Sequence, residues 1–179
     1  MLISRRSSAV PLLILVPVLF WFACGGTEPS ASDDPSGALL SYSECKYGVE
    51  PPPKVLEEDS STDSVEWSYM DGTLSLTHVN SGGNCCPDSL TAEVEVSGDT
   101  IYVREGEVLT EGGCRCLCLY DRVYEIKNLS AKAYSVQFEE LYLTEGESPL
   151  AFDADLAASP AGSHSVTREN YPWGVVVIE

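Results

Sequence analysis

The stretch Cys114-Arg115-Cys116-Leu117-Cys118-Leu119-Tyr120-Asp121 places a cysteine at every second position. Side chains alternate faces along an extended strand, so the three sulfurs share one face and Leu117 and Leu119 the other. A strand with apolar residues on both faces belongs inside a sheet rather than at its edge. It continues as Val123-Tyr124-Glu125-Ile126, with a bend expected at Asp121-Arg122. Upstream, Cys85-Cys86 brings five of the seven cysteines into two short segments.

The flanking sequence reads as antiparallel β-structure. Val65–Met70 and Thr73–His78 surround Asp71-Gly72, and an Asp-Gly between alternating apolar runs is a hairpin signal. In the second run Leu74, Leu76 and His78 share a face, which sends an imidazole toward the core. Leu90–Val96 and Thr100–Glu105 alternate around Ser97-Gly98-Asp99, with Ala92, Val94 and Val96 inward and Glu93 and Glu95 outward. Glu111-Gly112-Gly113 turns the chain into the cysteine strand. Further on, Leu129 and Tyr134 fit the corner of immunoglobulin-like and fibronectin type III sandwiches, where a tyrosine hydroxyl bonds back to the backbone just upstream. The expectation is an all-β, immunoglobulin-like antiparallel sandwich. Leu141–Leu143 is expected to continue a sheet, 152–167 to be a long loop with a helical turn at 153–156, and Tyr171–Ile178 to form a last strand.

The N-terminus is a targeting segment: Arg5 and Arg6 precede an apolar run from Ala9 to Phe22. With two prolines and fewer than the roughly 20 apolar residues a bilayer span requires, the run reads as a cleaved leader rather than an anchor. Ala23-Cys24-Gly25-Gly26 follows, and a small residue before a cysteine ahead of a polar tract resembles the bacterial lipoprotein signal. That resemblance makes Cys24 the lipidated first residue, and Gly25 fits transfer to an outer membrane; Trp21 departs from the usual aliphatic residue of the signal. The implied organisation is a leader at 1–23, a flexible tether at 24–41 and one domain at 42–179. Pro51-Pro52-Pro53 enforces an extended path, and the acidic run Glu57–Asp63 reads as a solvated loop without the ordered spacing of a calcium site.

The formal charge is −18, with 28 acidic against 10 basic residues, and loss of Arg5 and Arg6 with the leader makes the mature chain more negative still. Such a surface is a poor partner for nucleic acid, whose binding depends on neutralising phosphates. Cations, basic proteins or plain solubility are what it serves. Hydrolase chemistry finds no footing: His164 lies in Gly162-Ser163-His164-Ser165, with no Gly-x-Ser-x-Gly elbow or His-Glu-x-x-His helix.

With Cys24 lipidated, six cysteines remain: Cys45, Cys85, Cys86, Cys114, Cys116 and Cys118. An even number in an exported chain argues for disulfides, with fifteen pairings open. The economical scheme ties the Cys85-Cys86 corner to the Cys-x-Cys-x-Cys strand and leaves the last cysteine of that strand for Cys45. Two alternatives stand beside it: a thiolate site for Cu or Zn, with His78 as an added nitrogen ligand, and a thiol–disulfide redox protein. For His78 itself the expected role is a hydrogen-bonded histidine of the core or rim.

The region from about Thr77 to Val136 resembles a group of small, uncharacterised bacterial lipoproteins. Their pattern is carried here by His78-Val79-Asn80, Asn84-Cys85-Cys86, a strand pair ending at Glu105, the segment Cys114–Asp121, and Leu129 with Tyr134. The resemblance implies a compartment and the unity of the motif, and it brings no activity with it. The sequence thus predicts an exported protein, held by lipid in the bacterial cell envelope at the outer membrane or cell surface. It is expected to act as a disulfide-stabilised structural or binding module for an unknown protein or small ligand, without a cofactor, rather than as an enzyme.

Overall fold

The computed structural model describes residues 34–46, 61–110, 112–170 and 172–173. The leader, Cys24, the triproline, most of the acidic run and nearly all of the expected last strand lie outside the described residues.

Among the described residues, nine strands build two packed sheets: β1 (Ser36–Tyr42), β2 (Thr62–Met70), β3 (Thr73–Asn84), β4 (Ser89–Ser97), β5 (Thr100–Val108), β6 (Leu117–Lys127), β7 (Ala133–Glu139), β8 (Ala151–Asp155) and β9 (Ala161–Thr167). One sheet has the order β1-β6-β3-β2-β9, the other β4-β5-β7-β8. This is the expected all-β sandwich. Its pairings are antiparallel except β5–β7, where Thr100 to Arg104 run parallel to Ser135 to Glu139.

The two hairpins form as their turn residues dictate. Asp71 and Gly72 both take positive φ, 50° and 81°, the conformation a two-residue turn needs to follow the strand twist. Inward residues of the two sheets, among them Leu74, Leu76, Tyr124 and Ile126 against Ile101, Val103, Val136 and Phe138, form one core. Leu129 and Tyr134 are buried at the corner; the Tyr134 hydroxyl meets the Ser130 Oγ at 3.2 Å, a side-chain rather than a backbone partner.

Four expectations are corrected. Ser36–Ser41, assigned to the tether, belongs to β1, which pairs with β6 from Ser36↔Lys127 to Tyr42↔Arg122. Gly37 lets this strand lie close to the second sheet: a Cβ there would come within 2.4 Å of Val94 Cγ1. The cysteine segment is a strand only from Leu117 onward, so Cys114 and Cys116 precede β6. The 152–167 tract carries two strands, one in each sheet: β8 pairs with β7, with Phe152 and Ala154 buried, and β9 pairs with β2, where Gly162 lies under Trp67. Leu141 and Tyr142 form a turn.

The bend expected in β6 falls on its neighbours instead. β6 is continuous, whereas β3 slips register against it between His78 and Ser81, and β1 between Leu39 and Ser41.

Candidate functional site

Two connections cross from one sheet to the other at the same end of the sandwich, one from β3 to β4 and one from β5 to β6. Cys85 bonds to Cys116 and Cys86 to Cys114, with Cα separations of 5.6 and 5.7 Å, so two bridges lock one crossover to the other. A third, Cys45–Cys118, with Cα atoms 5.7 Å apart, ties the segment after β1 to β6 across 73 residues of sequence. That segment already follows β6, with Ser43 N donating to Asp121 O and Lys46 N to Leu119 O. The pairing is the economical scheme expected from the sequence.

Asn84 organises the sulfur end. Its Oδ1 accepts from the backbone N–H of Cys86 at 3.1 Å and of Cys114 at 2.9 Å, and its Nδ2 donates to Cys114 O at 2.8 Å. Tyr120 Oη donates to Asn84 O at 2.6 Å. Gly112 and Gly113, with φ of 84° and 70°, bring the crossover against that amide: a Cβ on Gly113 would lie 3.0 Å from Asn84 Cγ. The sulfurs of Cys85, Cys86 and Cys114 all lie within 4.8 Å of one another. Bonded in disulfides they are not thiolates, so ligation of Cu or Zn would require their prior reduction.

His78 is not part of this sulfur cluster. It is fully buried in an ion network that the sequence did not reveal. Its Nε2 meets Asp63 Oδ1 at 2.6 Å and its Nδ1 meets Glu105 Oε1 at 2.7 Å. Ser81 Oγ donates to Glu105 Oε2 at 2.8 Å, and Tyr124 Oη to Glu105 Oε1 at 2.5 Å. Arg168 Nη2 spans Asp63 Oδ2 at 2.6 Å and both Glu140 oxygens at 2.7 Å, and its guanidinium lies over Trp173. Arg122 stands 3.9 Å from Glu105, with its terminal nitrogens donating to the carbonyls of Thr91, Gly106 and Gly82 at 3.3 Å.

The slip in β3 creates this arrangement. Residues three apart on a regular strand face opposite sides, yet His78 and Ser81 both reach Glu105. Asn80 takes φ 66° between them, a conformation asparagine tolerates better than most residues. Its groups are all held: Nδ2 donates to Thr62 O at 2.6 Å, Oδ1 accepts from Lys46 Nζ at 2.6 Å, and its carbonyl accepts from Trp173 Nε1 at 2.6 Å.

Burial alone would drive the proton off His78, but the Glu105 charge and the hydrogen bonds to Asp63 and Glu105 outweigh it and raise its pKa to about 10. The same contest on Glu105 is won by the His78 charge and hydrogen bond, aided by Arg122, which lower its carboxyl to about 2. Asp63 is likewise lowered against its burial, chiefly by His78. Glu140 is raised, by burial first and then by the neighbouring Asp63 carboxylate. His78 is therefore an imidazolium clamped between two carboxylates. Asp63, His78 and Glu140 each place a ligand atom within 4.8 Å of the others, but Arg168 already supplies the positive charge that spans the two carboxylates.

Asp63 corrects the reading of the acidic run: its last residue enters β2 and is fully buried. His164 stacks on Phe152 with ring centroids 5.3 Å apart, a packing role. No protein family, curated protein or solved structure matches the chain.

Proposed function

We propose that the protein is an extracytoplasmic lipoprotein, exported on its N-terminal segment and held to the membrane by lipid on Cys24, whose sandwich serves as a disulfide-stabilised structural or binding module. The observation that carries this reading is the set of three disulfides joining all six described cysteines. Structural disulfides persist in oxidising compartments and are rare where glutathione and thioredoxin keep thiols reduced. The apolar run before Ala23-Cys24 supports the lipid anchor, and the −18 charge favours basic proteins or cations as partners over nucleic acid.

The test is metabolic labelling with a fatty acid in the producing cell, together with fractionation. Incorporation that Cys24→Ser abolishes, with the native chain in the membrane fraction, supports the reading. An unlabelled chain in the soluble cytoplasm contradicts it. The proximity of the Cys85, Cys86 and Cys114 sulfurs is the one feature favouring the thiolate metal reading. Elemental analysis of the isolated chain decides that point, because stoichiometric copper or zinc with four or more free thiols would replace the disulfide reading.

A further inference from the structure

We propose that Cys86–Cys114 is a thiol–disulfide exchange site for an external dithiol, held so that it opens and recloses without unfolding the sandwich. The inference rests on the disulfide reading above and goes beyond it by giving one bridge a chemistry that the others lack.

The three bridges differ in access. Cys45–Cys118 ends on a sulfur residue with no exposure, and Cys85–Cys116 begins on one only 8% exposed. In Cys86–Cys114, by contrast, neither cysteine is buried. Exchange proceeds by attack of a thiolate on a disulfide sulfur, so access sets which bridge a reductant can reach, and exposed bridges are the labile ones.

The two cysteines of this bridge are also held by bonds other than their S–S bond. The Asn84 amide holds the backbone of Cys86 and of Cys114 through three hydrogen bonds. Asn84 is itself buried and anchored by Tyr120 at its carbonyl and by Glu107 Oε2 at its N–H, 2.8 Å away. With the bond open, the two thiols stay in register, which favours reclosure over scrambling.

One thiolate of the dithiol attacks Cys114 Sγ, the mixed disulfide forms, and Cys86 leaves as a thiolate. The second thiolate of the dithiol then attacks the sulfur of its own chain in that mixed disulfide and expels Cys114. The dithiol departs oxidised by two electrons, and those electrons and its two protons reside on the Cys86 and Cys114 thiols. The substrate class is thus a dithiol, whether a small molecule or a protein with a paired-cysteine site. Cys85 Sγ lies in the same 4.8 Å group, which places the deeper bridge next in line for exchange.

The experiment uses the full-length chain in detergent and dithiothreitol as the probe. It is equilibrated at stepped ratios of reduced to oxidised probe, quenched in acid, alkylated and mapped by peptide mass, with near-ultraviolet circular dichroism in parallel. Cys86 and Cys114 are expected to label at a ratio about tenfold or more below that needed for Cys45 and Cys118, with the aromatic signal retained and the bridge restored by oxidised probe. Opening of all three bridges together with loss of the signal, or opening of Cys86–Cys114 last, overturns the proposal. Free thiols at the described cysteines in the untreated chain would instead remove the disulfide reading beneath it. Asn84→Asp, which keeps the acceptor and loses the donor to Cys114 O, is expected to slow reclosure; an unchanged rate in a folded variant refutes the holding role of Asn84.

Discussion

Replacing His78 by glutamine removes a positive charge that, alone among the described residues, touches both Asp63 and Glu105. Removing one partner of a buried ion pair costs about 3–5 kcal/mol, because the remaining charges stay buried without compensation. The pH dependence gives a sharper signature than the size of the loss. With a folded pKa of about 10 against an ordinary value of 6.5, the native protein holds a proton on His78 that the unfolded chain releases. Its stabilisation is therefore fully present below pH 6.5 and is lost as pH rises toward 10. One proton over that interval corresponds to about 1.4 kcal/mol per pH unit, or about 3 kcal/mol between pH 6.5 and 9. Glu140, raised as well, contributes loss of the same sign as pH rises. Urea unfolding with the disulfides intact, followed by tryptophan fluorescence at pH 6.5 and 9, measures the difference. Wild-type stability that does not change between these pH values, or a His78→Gln variant that keeps the full alkaline loss, would refute the clamped imidazolium.

At the acid end the sign reverses: Glu105, lowered to about 2, contributes stability that is present above its unfolded value near 4.5 and disappears as pH falls toward 2, so acid titration of unfolding should show cooperative loss that Glu105→Gln flattens. Gly37→Ala puts a Cβ within 2.4 Å of Val94 Cγ1 and 3.0 Å of Ile126 Cγ1; overpacking of this kind costs about 1–3 kcal/mol, and a neutral result in thermal unfolding would mean that β1 does not dock. The double replacement Cys45→Ser with Cys118→Ser opens a link spanning 73 residues, for which the chain-entropy relation gives a loss of about 4 kcal/mol, read by denaturant titration; no loss would deny that the link constrains the unfolded chain. Tyr120→Phe deletes the hydrogen bond to Asn84 O and is expected to cost about 1 kcal/mol, with faster amide exchange at Cys86 and Cys114.

Local patterns carried most of the architecture. Asp71-Gly72, the alternation from Leu90 to Val96, and the two-faced run from Leu117 to Ile126 each report on neighbours within a few residues; the first two form as read, and the third forms without its expected bend. The sulfur pairing was legible because adjacent cysteines and cysteines two apart leave few economical connections. What stayed hidden depends on long-range company. Ser36–Ser41 follows a small and polar tract and adds only Leu39 and Leu40 as large apolar residues, and it becomes a strand through its pairing with β6, where Gly37 lets it lie close to Val94. Asp63 looked solvated among other acids, and is buried because His78 and Arg168 converge on it from β3 and from beyond β9. Ala161–Thr167 has the composition of a loop; its strand character comes from pairing with β2. His78 was visible as an inward-facing residue, but its partners lie 15 and 27 residues away, and nothing in the local sequence marks those two acids among 28.

The disulfide-stabilised sandwich is tested most directly by the disulfide map of the unreduced chain, obtained by thiol titration in denaturant followed by stepwise partial reduction and peptide mass. The expected links are Cys45–Cys118, Cys85–Cys116 and Cys86–Cys114, with no free thiol among these six. Free thiols at any of them, or a different set of links, would contradict that pairing.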